Sequence, residues 1–119
     1  MNNLMNDLDL ELKLELENNL PSLCIPRVSG KITKKNVEDI FNKLELGKID
    51  RIELTSKKIG SGEISSKVII HFKTWYSNSN AIKARELLLE NKGFKVFYDE
   101  PWFWKVSALS TFRKNGAKI

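Results

Sequence analysis

The sequence predicts an α+β fold of the ferredoxin-like split βαβ type, in which a four-stranded antiparallel sheet carries two helices on one face. Two segments place apolar residues at helical spacing, and several others alternate apolar and polar residues. The segments follow one another in the order β-α-β-β-α-β. With 119 residues, 41% of them hydrophobic, the chain is long enough for one domain with a small core.

The stretch at 65–75, SSKVIIHFKTW, predicts the central strand of this sheet. Side chains alternate between the two faces of a strand. We expect the face toward the helices to be formed by Val68, Ile70 and Phe72. The opposite, open face would then present Lys67, Ile69 and His71.

The first strand and the first helix precede this segment. LCIPRV at 23–28 is a short apolar strand in which Pro26, lacking an N–H, requires a bulge or an unpaired position. Thr33 is a helix N-cap, and Gly47 stands where a C-cap glycine would. The predicted helix covers about 34–45, and its apolar face consists of Val37, Ile40, Phe41 and Leu44.

The remaining elements follow from the same patterns. Residues 49–57 alternate and lead through the Gly60–Gly62 loop into the central strand. A second helix, ended by Gly93, has an apolar side of Ala81, Ala84, Leu87 and Leu88. Two extended segments, 94–98 and 102–106, flank a turn at 99–101. We interpret the first as a small addition before the fourth strand of the sheet.

The charges divide the chain into an acidic arm and a basic body. Residues 1–20 hold five acidic residues and one lysine, a net charge of −4, whereas residues 21–119 hold 19 basic and ten acidic residues, a net charge of +9. We expect a domain over 21–108 and a basic tail over 109–119. Clustered lysine and arginine residues attract phosphate backbones, although many small basic domains bind no anion.

Leucines alternate with charged residues in the arm, from Leu8 to Leu16. A period of two indicates a strand, whereas Leu, Glu and Lys individually favour helix. We therefore expect an arm that becomes a strand only against a partner, such as another copy of the chain. The alternative is a tail that only keeps the protein soluble.

The residue types argue against an enzyme. The chain has one histidine and one cysteine, so a zinc ligand set, an internal disulfide and an activated nucleophile are not expected. No metal or other cofactor is predicted. No apolar run approaches the ~18 residues of a membrane span, and no secretory signal is seen. We expect a cytoplasmic or nuclear protein that does not bind a membrane.

Residues 22–108 resemble the RNA recognition motif family. LCIPRV lies where that family has its apolar hexapeptide, SGKITKKNVEDIF at 29–41 is similar to its turn and first helix, and the IIHF end of 65–72 keeps the pattern of its octapeptide. The resemblance implies binding of single-stranded RNA on the open face of the sheet. IIHFKTW and DEPWFWKVS are also similar to small proteins of this kind from large DNA viruses, which would place this chain in an infected host cell.

The positions that carry stacking aromatics in that family are occupied here by Cys24, Lys67 and Ile69. This departure fits a member whose sheet contacts proteins instead. Phe103 is the remaining stacking candidate, provided that Trp102 and Trp104 face the helices. A register slip of one residue would expose the tryptophans, and core packing is the alternative for the whole cluster. The predicted nucleic-acid-binding residues are Arg51, Lys67, Ile69, His71, Phe103 and Lys105.

Two functions follow from these observations. The first is a non-catalytic nucleic-acid-binding module that binds single-stranded RNA weakly through the open face. The second is a protein–protein interaction or assembly module that uses the sheet face or the arm at residues 1–20.

Overall fold

The computed structural model describes residues 18–109, which form five strands and two helices. In chain order these are β1 (Leu23–Ser29), α1 (Lys34–Leu44), β2 (Gly47–Lys58), β3 (Ile64–Trp75), α2 (Ser79–Leu89), β4 (Phe94–Asp99) and β5 (Trp102–Ala108). The acidic arm up to residue 17 and the tail from residue 110 lie outside the described residues.

All five strands belong to one antiparallel sheet with the order β2-β3-β1-β5-β4. The prediction of a four-stranded ferredoxin-like sheet is therefore wrong, although the broad α+β class holds. β4 is a full strand that pairs with β5 from Phe94 opposite Val106 to Asp99 opposite Trp102. The turn at 99–101 connects β4 to β5 as a hairpin, and β4 is the fifth strand, at the edge of the sheet.

Pro26 shapes the middle of the sheet. Against β3, β1 advances from Ile25 to Val28 while its partner advances only from Val68 to Ser66, so Pro26 and Arg27 form a bulge. Against β5, pairing stops after Leu23 and Cys24. Because proline has no N–H to donate, the requirement for a bulge or an unpaired position is met on both sides of β1.

The core lies between the sheet and the two helices. Val68, Ile70 and Phe72 of β3 are buried, as the alternation predicts, and Trp75 is buried beside them. Within residues 18–109, 17 buried apolar residues form one continuous cluster, which includes Val37 and Phe41 of α1 and Ala81, Ala84 and Leu88 of α2. Both helices therefore cover the same face, and no helix or strand among residues 18–109 covers the opposite face, which we call the open face.

Hydrogen bonds fix the ends of the helices. Thr33 is the N-cap of α1: its hydroxyl accepts from the N–H of Asn36, whose side chain accepts in return from the N–H of Thr33. The helix ends at Glu45 in left-handed conformation, so Gly47 is not its C-cap. Gly47 instead begins β2, where a Cβ would lie 2.6 Å from the carbonyl oxygen of Thr74.

The segment before β1 is tied to the body at several points. Trp75 donates its backbone N–H to Asn18 O and its indole N–H to Pro21 O, at 2.8 and 3.1 Å. Arg85 of α2 donates to Leu20 O at 2.8 Å.

No helix within residues 18–109 is long and apolar enough to cross a membrane.

Candidate nucleic-acid interface

The open face of the sheet carries all six residues predicted to bind nucleic acid. Arg51 lies opposite His71, and Ile69 lies between Glu53 and Cys24. Lys67 is exposed on β3, opposite the bulge of β1. Phe103 and Lys105 alternate on β5 with the buried Trp104 and Val106, so they too point away from the helices. The strand register in the structure is thus the same as the register assumed when these six residues were predicted.

His71 belongs to a hydrogen-bonded network on the β2–β3 half of this face. Its Nδ1 lies 2.8 Å from the hydroxyl of Ser22 and its Nε2 lies 2.8 Å from Oε2 of Glu53. A neutral ring with its proton on Nε2 satisfies both contacts, because it donates to the carboxylate and accepts from the hydroxyl. The sequence did not predict these two polar partners of His71.

Glu53 also holds Arg51, whose guanidinium lies 3.3 Å from Glu53 and 3.5 Å from Asp50. The hydrogen bond from His71, together with the nearby Arg51, holds the pKa of Glu53 below its usual value. Two of the residues predicted to bind nucleic acid, Arg51 and His71, are therefore already engaged with carboxylates. Their interactions stabilise the sheet surface and reduce what they offer to an anionic ligand.

Ser22, His71 and Glu53 have the residue types of a hydrolytic triad. Ser22 is only 7% exposed, however. A serine nucleophile has to reach a substrate carbonyl, and the burial of this residue leaves little room for such an approach. We interpret the contact with His71 as the hydrogen bond that the hydroxyl of a buried serine requires.

The β4–β5 half of the open face combines aromatic rings with cations. Phe97 and Phe103 lie opposite each other with ring centroids 5.3 Å apart, and they are 50% and 36% exposed. Next to them Lys95 lies opposite Lys105, and the Lys95 ammonium is 4.6 Å from the centroid of the Phe103 ring. We call these four residues, Lys95, Phe97, Phe103 and Lys105, the aromatic–lysine cluster.

A shallow cavity of about 420 Å³ adjoins the cluster. Pro26, Lys95, Lys105 and Ser107 contribute to its walls. The cavity exists because β5 does not pair with β1 at the proline bulge. Lys95 and Lys105 line this cavity, and Lys67 lies on β3 at the other side of the same bulge.

Phe97 and Lys95 were missing from the predicted site because the segment holding them was not counted in the sheet. The signal was present in the sequence: the turn at 99–101 brings 94–98 back along 102–106, and alternation then places both residues beside Phe103 and Lys105. Trp104 faces the helices as predicted and is 3% exposed. Trp102 is two residues away in the same strand and so points to the same side, but it is 63% exposed next to the turn at 99–101.

Within residues 18–109 no group of three His, Cys, Asp or Glu side chains is arranged to hold a metal ion. The chain matches no protein-family model, no curated protein and no solved structure. The similarity to RNA recognition motifs and to viral proteins of that kind thus stays a prediction from the sequence motifs.

Proposed function

We propose that the chain is a non-catalytic nucleic-acid-binding module that binds single-stranded RNA weakly through the open face of its sheet. The aromatic–lysine cluster is the observation that carries this proposal. It offers two exposed rings, tilted by 54° with centroids 5.3 Å apart, and two cations on neighbouring positions of the same face. Exposed aromatic rings beside lysines are what bases and phosphates of an unpaired strand require.

The chemistry of the cluster accounts for weak and sequence-tolerant binding. Stacking of one base on an aromatic ring contributes roughly 1–3 kcal/mol and does not depend on which base is bound. The Lys95 ammonium lies over the Phe103 ring, so it has to move before a base can stack there. A phosphate beside the displaced base gives that ammonium a new partner, which couples stacking to backbone contact.

The rest of the face contributes unequally. Lys67 lies across the proline bulge from Lys105 and extends the positive surface toward β3. Arg51 and His71 are held by Glu53 and offer less to RNA. The binding path therefore runs from the aromatic–lysine cluster toward Lys67, where no lysine of the face is ion-paired with a carboxylate of the described residues.

Fluorescence anisotropy of a labelled mixed-sequence single-stranded RNA, at low and physiological salt, tests the proposal. We expect the full chain to bind at micromolar concentration and less tightly as salt rises. Replacing the two lysines, as Lys67→Glu with Lys105→Glu, introduces two negative charges at the binding path and should weaken binding sharply.

The matched control is Lys34→Glu with Lys43→Glu, which makes the same change of net charge on α1, on the helical side of the molecule. This control should weaken binding only through the reduced overall charge. Equal losses in both double variants, or affinity retained at moderate salt by the open-face variant, would contradict an RNA site on the open face.

A further inference from the structure

β4 is an edge strand whose outer side has no partner among the described residues. It pairs only with β5, and the sheet ends there. The outward N–H and C=O groups of Phe94–Asp99 are therefore available to another extended chain. Proteins usually protect such an edge, and an uncovered one is a template for strand addition.

A groove of about 450 Å³ runs beside this edge. Four consecutive residues of β4, 94–97, line it. Because successive side chains of a strand point to opposite faces, a groove lined by four in a row follows the edge of the strand rather than one face. The other wall is one stripe of α2, formed by Asn80, Lys83, Ala84 and Leu87.

The lining selects the chemistry of an occupant. Leu44, Leu46 and Leu87 make the groove apolar, and Leu87 is outside the buried core cluster. The charged residues that line it, Lys83 and Lys95, are both lysines. An extended segment with apolar residues at every second position and acidic residues between them would satisfy both features.

This chain contains such a segment at residues 8–17, which read LDLELKLELE. Its five leucines alternate with four acidic residues and a single lysine. We propose that residues 8–17 of a second copy add to β4 as a strand. The leucines enter the groove, and the acidic side chains lie toward Lys95 on the open face.

The start of the described chain indicates a second copy rather than the same one. Asn18 is held by Trp75, in a cavity lined by Ile82, Arg85 and Leu89 of α2. That stripe and the stripe at 80, 83 and 87 lie on opposite sides of a helix roughly 10 Å across. Residues 8–17 directly precede Asn18, so in the same copy the chain would have to cross from one side of α2 to the other with no residues to spare. Exchange between two copies avoids this crossing and joins them as a symmetric dimer.

This assembly does not depend on RNA binding. The decisive measurement is the mass of the full chain by sedimentation equilibrium over a range of concentrations in reducing buffer. We expect a reversible approach to twice the 13.7 kDa of the monomer. A chain that remains monomeric at every concentration would overturn the proposal. A dimer whose mass is not lowered by a competing peptide of the arm would overturn it as well.

The competitor is a synthetic peptide of residues 6–17, which should lower the mass of the full chain, while a peptide of the same composition with the alternation scrambled should not. In the full chain, Leu87→Glu places a carboxylate in the groove and should weaken association about tenfold or more. Leu89→Glu on the opposite stripe is the matched control, with an effect of about twofold or less. Equal effects of the two substitutions, or of the two peptides, would overturn this placement of the arm.

Discussion

Oε2 of Glu53 lies 2.8 Å from Nε2 of His71, across the β2–β3 pair on the open face of the sheet. The two residues are diagonal neighbours, since His71 lies directly opposite Arg51 and Glu53 lies opposite Ile69. The far side of the imidazole reaches Ser22, before the start of β1. One histidine therefore links two strands and the segment leading into a third.

In Glu53→Gln, the free energy of unfolding should decrease less steeply as the pH falls below neutrality. The hydrogen bond from His71 lowers the pKa of Glu53 in the folded state relative to the ordinary value of 4.5. A lowered pKa means that the contribution to stability is present above the unfolded-state pKa and is lost as pH falls through the folded-state pKa. Urea midpoints measured from pH 7 to pH 3 should therefore fall less steeply below about pH 4.5 in the variant.

The control for this pH dependence is Glu63→Gln, which removes an exposed carboxylate from the loop between β2 and β3. In this control variant, the urea midpoint should fall with decreasing pH as steeply as it does in the wild type. If both variants flatten the curve equally, the acid sensitivity is a property of total charge and not of the Glu53–His71 contact.

His71→Ala should destabilise the fold by roughly 1–3 kcal/mol, because the buried hydroxyl of Ser22 loses its hydrogen-bond partner. Adding Ser22→Ala removes the orphaned group, so the double variant should lose less than the sum of the two single losses. Urea unfolding of the four proteins forms a double-mutant cycle. Strict additivity would show that the Ser22–His71 contact contributes nothing.

Gly93→Ala should destabilise the fold by roughly 1–3 kcal/mol. A Cβ at this position would lie 2.4 Å from the carbonyl oxygen of Val106, a backbone atom of β5 that cannot rotate away. Gly60→Ala is the matched control, because a Cβ there meets nothing within 4 Å and its backbone conformation suits alanine. Thermal unfolding of the two variants should separate them, and similar melting temperatures would contradict the close approach of β4 and β5.

Most elements of this fold could be predicted from local patterns. Thr33 with the apolar stripe of α1 and the alternation in β3 specify their elements without reference to any partner. The number of strands could not be predicted in the same way. Whether 94–99 joins the sheet depends on pairing with β5 and on the pairing of Ser107 and Ala108 with β1, which are contacts between distant parts of the chain.

The candidate site, too, has a part that local patterns predict and a part that depends on contacts between distant segments. Alternation sufficed to put Arg51, Lys67 and Phe103 on one face once the strand register was assumed. The network of Ser22, Glu53 and His71 could not be predicted, because it depends on how three distant segments are aligned. Register irregularities between Lys48 and Arg51 decide which residue of β2 comes next to His71, and no local pattern reports them.

The salt dependence of RNA binding should report a small number of phosphate contacts. Three lysines on the open face, Lys67, Lys95 and Lys105, would give a slope of about −2 in a plot of log affinity against log salt, at roughly −0.7 per contact with a single strand. Lys105→Gln should make the slope shallower by about 0.7. An unchanged slope in that variant would exclude contact between Lys105 and the backbone of the RNA.

Phe103→Ala should reduce RNA affinity by about 5- to 150-fold, the equivalent of the roughly 1–3 kcal/mol that one stacked base contributes. The loss should persist at high salt, because stacking is not screened, whereas the effect of the lysines should fade. Tyr76→Ala is the control: Tyr76 is 43% exposed and follows β3, away from the aromatic–lysine cluster. Anisotropy titrations at two salt concentrations distinguish the outcomes. If Tyr76→Ala weakens binding as much as Phe103→Ala does, exposed aromatic surface in general binds the RNA and the cluster has no special role.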